Sequence, residues 1–179
     1  MDTRKVSTMP ELENTACASP PCYAAEVDPL YNGAVPDAEL AELLNAMLEV
    51  GRASAKALTA IAADFDQTEV TDLLTSVQRN QARFCGVLTR VLTQLGANPS
   101  DATSTFHDEV LGLAEVAERL ALLNSGMAWV VGQFDTTLPK VTDDQIHGVL
   151  AEWREIHRGD LKDCSELLDW LARQKAGGS

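Results

Sequence analysis

His157 and Asp160 lie one helical turn apart, in a stretch whose apolar residues recur every three or four positions. A carboxylate at that spacing raises the basicity of an imidazole and fixes its orientation. The pair can act as an acid–base couple or as a buried ion pair. Three other apolar repeats are interrupted in the same way, by Gly51 and Ser54, by Gln81 and by Asn124. An amide or imidazole buried without a partner costs about 1–3 kcal/mol. Four repeats with polar midpoints therefore call for bonds among themselves, a water or a ligand. Three readings stay open: a network that fixes helix register, a pocket for a small polar ligand to which Gly51 and Ser54 give room, or a metal site. In an enzyme, His157 would be the general base while Gln81 and Asn124 oriented the substrate. Asp144-Gln-Ile-His147 has a similar spacing, but it falls at the solvent-facing start of a helix and reads as surface.

The elements that carry these residues are helices. The first repeat runs Leu40, Leu44, Met47, Gly51, Ser54, Leu58, Ile61, and the second Val70, Leu74, Val77, Gln81, Phe84, Leu88, Val91, Leu95. The third runs unbroken from Phe106 through Val110, Leu113, Ala117, Leu120, Asn124, Met127, Val131 and Phe134 to Leu138. The fourth runs Ile146, Leu150, Trp153, His157, Asp160, Cys164, Leu167, Leu171. Such repeats mark amphipathic helices. Asp66-Gln-Thr-Glu69 and Thr142-Asp-Asp-Gln145 fit capping boxes headed by Asp66 and Thr142, while Gly96 with Pro99, and then Pro139, close helices. The short links predict an all-α, up-down-up-down antiparallel four-helix bundle over 37–175, with its polar midpoints in one layer. Residues 1–36 are too rich in proline for a long helix and read as an irregular extension, with Pro20–Tyr31 packed across the bundle; 176–179 read as a tail.

The chain has 179 residues, enough for one domain, and a net charge of −13. That charge argues against nucleic acid or an anionic membrane as partner. No apolar run approaches the roughly 18 residues of a membrane span, and the N-terminal stretch does not read as an export signal, so the expected location is cytoplasmic with reduced thiols. Cys17 and Cys22 are spaced more loosely than the pairs of redox and zinc motifs. Cys85 and Cys164 read as core thiols, or with His157 as a Cys2His set for zinc or copper. Trp129, Trp153 and Trp170 read as core. Glu115, Glu118, Glu152 and Glu155 read as solvated faces.

A four-helix bundle with polar residues at mid-height resembles the ferritin-like superfamily. There, two helices each give a Glu and the other two a Glu-x-x-His, all pointing inward. Carried onto this chain, the resemblance places Gly51 and Asn124 at the lone Glu positions. Gln81-Ala-Arg-Phe84 and Arg154-Glu-Ile-His157 fall at the Glu-x-x-His positions, so only His157 survives. The chain is also similar to an uncharacterised bacterial ferritin-like group, over about residues 19–170. The segments that carry this are Ser19-Pro-Pro-Cys22 with Glu26-Val-Asp28-Pro29, Gln81-Ala-Arg-Phe-Cys85 with Leu88-Thr-Arg90, and Glu118-Arg-Leu-Ala-Leu-Leu-Asn124 with Trp129-Val-Val131. This resemblance implies acidic residues in relatives where this chain has Gly51 and Gln81.

Neutral amides cannot replace the anionic oxygens that an iron pair needs. The expectation is an accessory or small-molecule-binding protein whose di-iron site is lost, with Gly51, Ser54, Gln81, Asn124, His157 and Asp160 as candidate ligand-binding residues. No cofactor is predicted; iron stays open if Glu42, Glu49 or Glu152 turns inward, and zinc or copper through the set of Cys85, Cys164 and His157. The alternatives are a metal-dependent oxidoreductase with an unorthodox site around His157, and a metal-free enzyme with His157 as base and Asp160 as its partner. A protein partner would meet the acidic surface or the N-terminal extension, and a homodimer is compatible with a long bundle.

Overall fold

The structure is a computed structural model that describes residues 33–177. Among these residues five α-helices follow in order: α1 Asp37–Ala62, α2 Thr68–Gln94, α3 Phe106–Leu111, α4 Val116–Thr137 and α5 Asp144–Gly177. A 3-10 turn, Leu138–Lys140, holds Pro139 and joins α4 to the link before α5. There is no strand among the described residues. The fold is all-helical, as the repeats require. The stripe from Leu40 to Ile61 is buried along α1, and the stripe from Leu74 to Val91 along α2. So is that from Ile146 to Leu167 along α5. Gly96 adopts φ +71, the left-handed region, and Ala97 N donates to Leu92 O at 2.9 Å, which terminates α2. The caps differ from the expected ones. The residue before α2 is Gln67, without a side-chain cap bond. At α5 it is Asp143 rather than Thr142 that accepts from Ile146 N, at 2.8 Å.

The third repeat is not one helix. It breaks at Gly112–Glu115, and α3 folds back on α4. Phe106 lies against Gly126, where a Cβ would stand 2.7 Å from the ring. In a continuous helix those residues would be about 30 Å apart. Arg119 holds the break, donating to Leu113 O at 2.7 Å and pairing with Asp64 at 3.0 Å. The whole connection from Leu95 to Glu115 then runs lengthwise along α1. Asn45 contacts Asn98 and Ser100, Glu49 accepts from Ser100 Oγ at 2.5 Å, and Arg52 donates to Ser100 O and Ala102 O.

This connection corrects the expected helix directions. Arg119, in the first turn of α4, reaches Asp64 just past the end of α1. At the other end Val35, just before α1, donates to Lys140 O at 2.9 Å. So α4 runs antiparallel to α1 and parallel to α2, and the order is up-down-down-up rather than up-down-up-down. Short links do not join all the long helices: the stretch between α2 and α4 runs from Leu95 to Glu115. Each long helix neighbours two others: α1 lies beside α2 and α4, and α5 beside α2 and α4.

Two apolar clusters make up the core. One holds Leu44, Met47, Leu48, Phe84, Val130, Phe134, Leu150 and Trp153. The other holds Ala57, Leu58, Ile61, Leu74, Val77, Leu120, Leu123, Met127, Cys164 and Leu167. The expected docking of Pro20–Tyr31, and Cys17 and Cys22, lie outside the described residues.

Candidate functional site

The gap between the two clusters is a polar belt. On α1 it falls between Leu48 and Ala57, at Gly51 and Ser54; on α2 between Val77 and Phe84, at Gln81; on α5 between Trp153 and Cys164, at His157 and Asp160. Ser54, Gln81, His157 and Asp160 are all buried. The structure thus brings five of the six candidates to one level.

His157 is fully enclosed. Its ring meets Phe84 edge-on at 4.4 Å between centroids, with Phe134 at 6.0 Å and Trp153 at 6.4 Å. Nδ1 lies 2.9 Å from Trp153 O. A carbonyl only accepts, so Nδ1 carries the proton and the neutral ring leaves a bare lone pair on Nε2. Burial pushes the imidazole pKa down, and the bond to Trp153 O only partly offsets that. Asp160 accepts from Asn80 Nδ2 at 2.8 Å through Oδ1. Burial raises its carboxyl to about 6; the Asn80 bond works the other way, and the nearby Asp163 adds to the rise. The two residues do not form the ion pair that their spacing suggested: no hydrogen bond or ion pair joins them, and their pKa values move toward neutral forms.

Gln81 Nε2, His157 Nε2 and Asp160 Oδ2 are buried without hydrogen-bond partners. The belt therefore presents a donor, a lone pair and a carboxyl oxygen. Two to four polar partners are what one ordered water, or the polar end of a small molecule, requires. The room expected at Gly51 is taken by the protein itself, since a Cβ there would stand 3.1 Å from Cys85 Sγ and 3.6 Å from the Phe84 ring.

Asn124 does not belong to this level. Its Nδ2 donates to Ser165 Oγ at 3.0 Å, while Oδ1 is buried and unpartnered. Ser165 lies eight residues past His157, and Phe134, which meets the His157 ring, lies ten residues past Asn124. Asn124 is three residues from Met127, and Ser165 is five residues past Asp160, so Asn124 sits about 5–8 Å off the belt along the helices, on the side of the second cluster. Reading α3 and α4 as one helix placed its midpoint too early. At belt level α4 supplies the apolar pair Met127 and Val130.

The alternative ligand sets do not assemble either. Among the described residues, no group of three or more His, Cys, Asp or Glu side chains converges. Glu42 and Glu152 are exposed, and Glu49 is engaged by Ser100. Cys85 sits against Gly51 and Leu48 O beside one core cluster, whereas Cys164 lies inside the other. Burial raises both thiol pKa values, that of Cys164 to about 12, so neither is a ready thiolate.

Sequence reasoning missed Asn80 and Ser165, which stand beside rather than on the apolar stripes. It also placed Trp129 in the core, whereas this side chain is 40% exposed. Trp170 is half-buried and lines a cleft of about 350 Å³ at one end of the α2–α5 seam, with Val70, Leu73 and Leu167. A second cleft of about 370 Å³, lined by Val87, Val91, Val149 and Trp153, opens on the same seam. The belt lies between the two, closed by the Asn80–Asp160 bond.

A family model described as a domain of unknown function, DUF6306, matches residues 38–166. The chain belongs to that family. The match spans α1 to most of α5, and so includes every belt residue. No curated protein and no solved structure matches the chain.

Proposed function

We propose that this protein is a ferritin-like four-helix bundle that serves as an accessory or small-molecule-binding protein, its mid-height belt holding a small polar guest in place of paired metals. Two hairpins joined by one lengthwise crossover are the connection pattern of ferritin-like folds, which supports the bundle assignment. The carrying observation is the trio of unpartnered atoms, Gln81 Nε2, His157 Nε2 and Asp160 Oδ2, at the level where the core divides. Those atoms supply one carboxylate and two neutral groups, a poor set for two irons and a suitable one for a hydroxyl, amide or water. Entry is along the α2–α5 seam, where the bond from Asn80 separates the two clefts.

The test is native mass spectrometry with metal analysis on the same purified sample. The expected result is a bound non-protein mass that Gln81→Leu and His157→Leu abolish and Asn124→Leu retains. Iron near two per chain would overturn the proposal. So would an unliganded mass for the wild-type chain, which would make the belt a structural network.

A further inference from the structure

We propose that the outward face of α2 receives an acidic segment of a partner protein, held by Arg79, Arg83 and Arg90. No Asp or Glu occurs between Asp72 and Asp101, yet all three arginines fall there, on a chain of 27 acidic and 14 basic residues. They are four and then seven residues apart, which sets them in one row on a helix, and all are exposed. The row points away from Val77, Gln81, Phe84 and Leu88, which are buried. It spans about 16 Å along the axis.

These arginines differ from most others in the chain by having no partner. Arg52, Arg119, Arg154 and Arg158 each bond a carbonyl or carboxylate of the same chain. Among the described residues, Arg79, Arg83 and Arg90 have neither a hydrogen bond nor an ion pair, although acids outnumber bases nearly two to one. Asp72 lies seven residues before Arg79 on the same row, and Glu152 shares a cleft with Arg90, but neither pairs with an arginine of the row. At physiological salt, charges beyond about 8 Å are screened. A group that meets the row therefore meets local positive charge rather than the net −13 of the chain.

The chemistry of the row selects its occupant. A guanidinium is a planar fork that takes a carboxylate through two parallel bonds, which favours Asp or Glu as the meeting group. Arg90 Nη1 would stand 3.9 Å from a Cβ on Gly86, so this guanidinium lies back along the row toward Arg83. Beside Arg90 opens the cleft of about 370 Å³ floored by Val87, Val91, Val149 and Trp153, a seat for an apolar side chain of the same segment. The positive stretch ends within about three helical turns and is flanked by carboxylates, which suits a short acidic segment and not the continuous backbone of a nucleic acid. The row stands whether or not the belt holds a guest.

The test is isothermal titration calorimetry of the full chain with a capped helical peptide. Its glutamates repeat the spacing of the three arginines, and its leucines lie on the adjoining stripe. At low salt the peptide is expected to bind with a Kd below about 100 µM. Arg79→Glu, Arg83→Glu and Arg90→Glu should each weaken it at least about fivefold, as should about 0.2 M salt for the wild type. Arg173→Glu, an equal change of charge at an exposed site near the end of α5, should leave the Kd within about twofold. No binding at about 1 mM peptide overturns the proposal. So does a loss with Arg173→Glu equal to that with Arg83→Glu, which would make the attraction one of net charge alone. Tighter binding of a single-stranded DNA oligomer, or a wild-type dimer that Arg83→Glu dissolves, would make the occupant a nucleic acid or a second copy and overturns it too.

Discussion

Replacing Asp160 with asparagine should make the protein more stable, and the gain should grow with pH. A carboxyl moved from its ordinary 3.8 to about 6 binds its proton more tightly in the fold than in the unfolded chain. Between those values the folded chain holds a proton that the unfolded chain has released. Stability therefore falls as pH rises through this window and stays low above it. The amide that Asp160→Asn introduces cannot ionise, and its oxygen still accepts from Asn80. Linkage gives a gain of about 0.5 kcal/mol at pH 4 that rises to about 3 kcal/mol at pH 7. An amide nitrogen without a partner subtracts about 1 kcal/mol at every pH, which leaves the rise of about 2–2.5 kcal/mol unchanged. For a chain of this size that is a melting-temperature difference of about 5–10 °C. Thermal melts of both proteins at pH 4 and pH 7 measure it. A difference between the two that does not change with pH would refute the account of Asp160.

The neighbouring groups give three further expectations. His157 is held neutral by burial, so its imidazole should titrate below the ordinary 6.5 in an NMR titration; because the unfolded chain then binds the extra proton, this group costs stability as pH falls below that value, and a midpoint at or above 6.5 would contradict the buried, carbonyl-tethered ring. Gly126→Ala should cost about 1–3 kcal/mol by displacing Phe106 and should speed proteolysis near Gly112–Glu115, while unchanged denaturant melts would show that α3 is not seated there. Gly51→Ala should be close to neutral alone but stabilise by about 1 kcal/mol on a Cys85→Ala background, because the new Cβ meets Cys85 Sγ at 3.1 Å; additive effects in a denaturant double-mutant cycle would refute that coupling.

The stripes of α1, α2 and α5 were legible because each keeps its three–four spacing from end to end and is buried along most of its length, from Leu40 to Ile61 for instance. The belt was legible on those same helices for the same reason. α4 was not, because apolar spacing continues from Phe106 through Val110 and Leu113 to Ala117 with no proline to mark the break. Only Gly112 punctuates it, and a single glycine is a weak stop. That one misreading reversed the direction of α4 and put Asn124 at the wrong height. Partners beside the stripe, Asn80 and Ser165, carry no periodic signal, since half-buried polar residues are ordinary on helix flanks. Trp129 was misplaced because aromatic character and helical spacing do not say which side of an apolar helix faces solvent.

The strap from Leu95 to Glu115 makes each half of the chain a contiguous hairpin, α1 with α2 and α4 with α5. Asn45, Glu49 and Arg52 hold the strap through polar contacts at the periphery, where water can replace them once the backbone is severed. A cut between Asn98 and Thr103 therefore leaves both halves of the interior continuous in sequence. Two separately expressed fragments divided there are the natural units for complementation, and new termini for a circular permutant belong in the same segment.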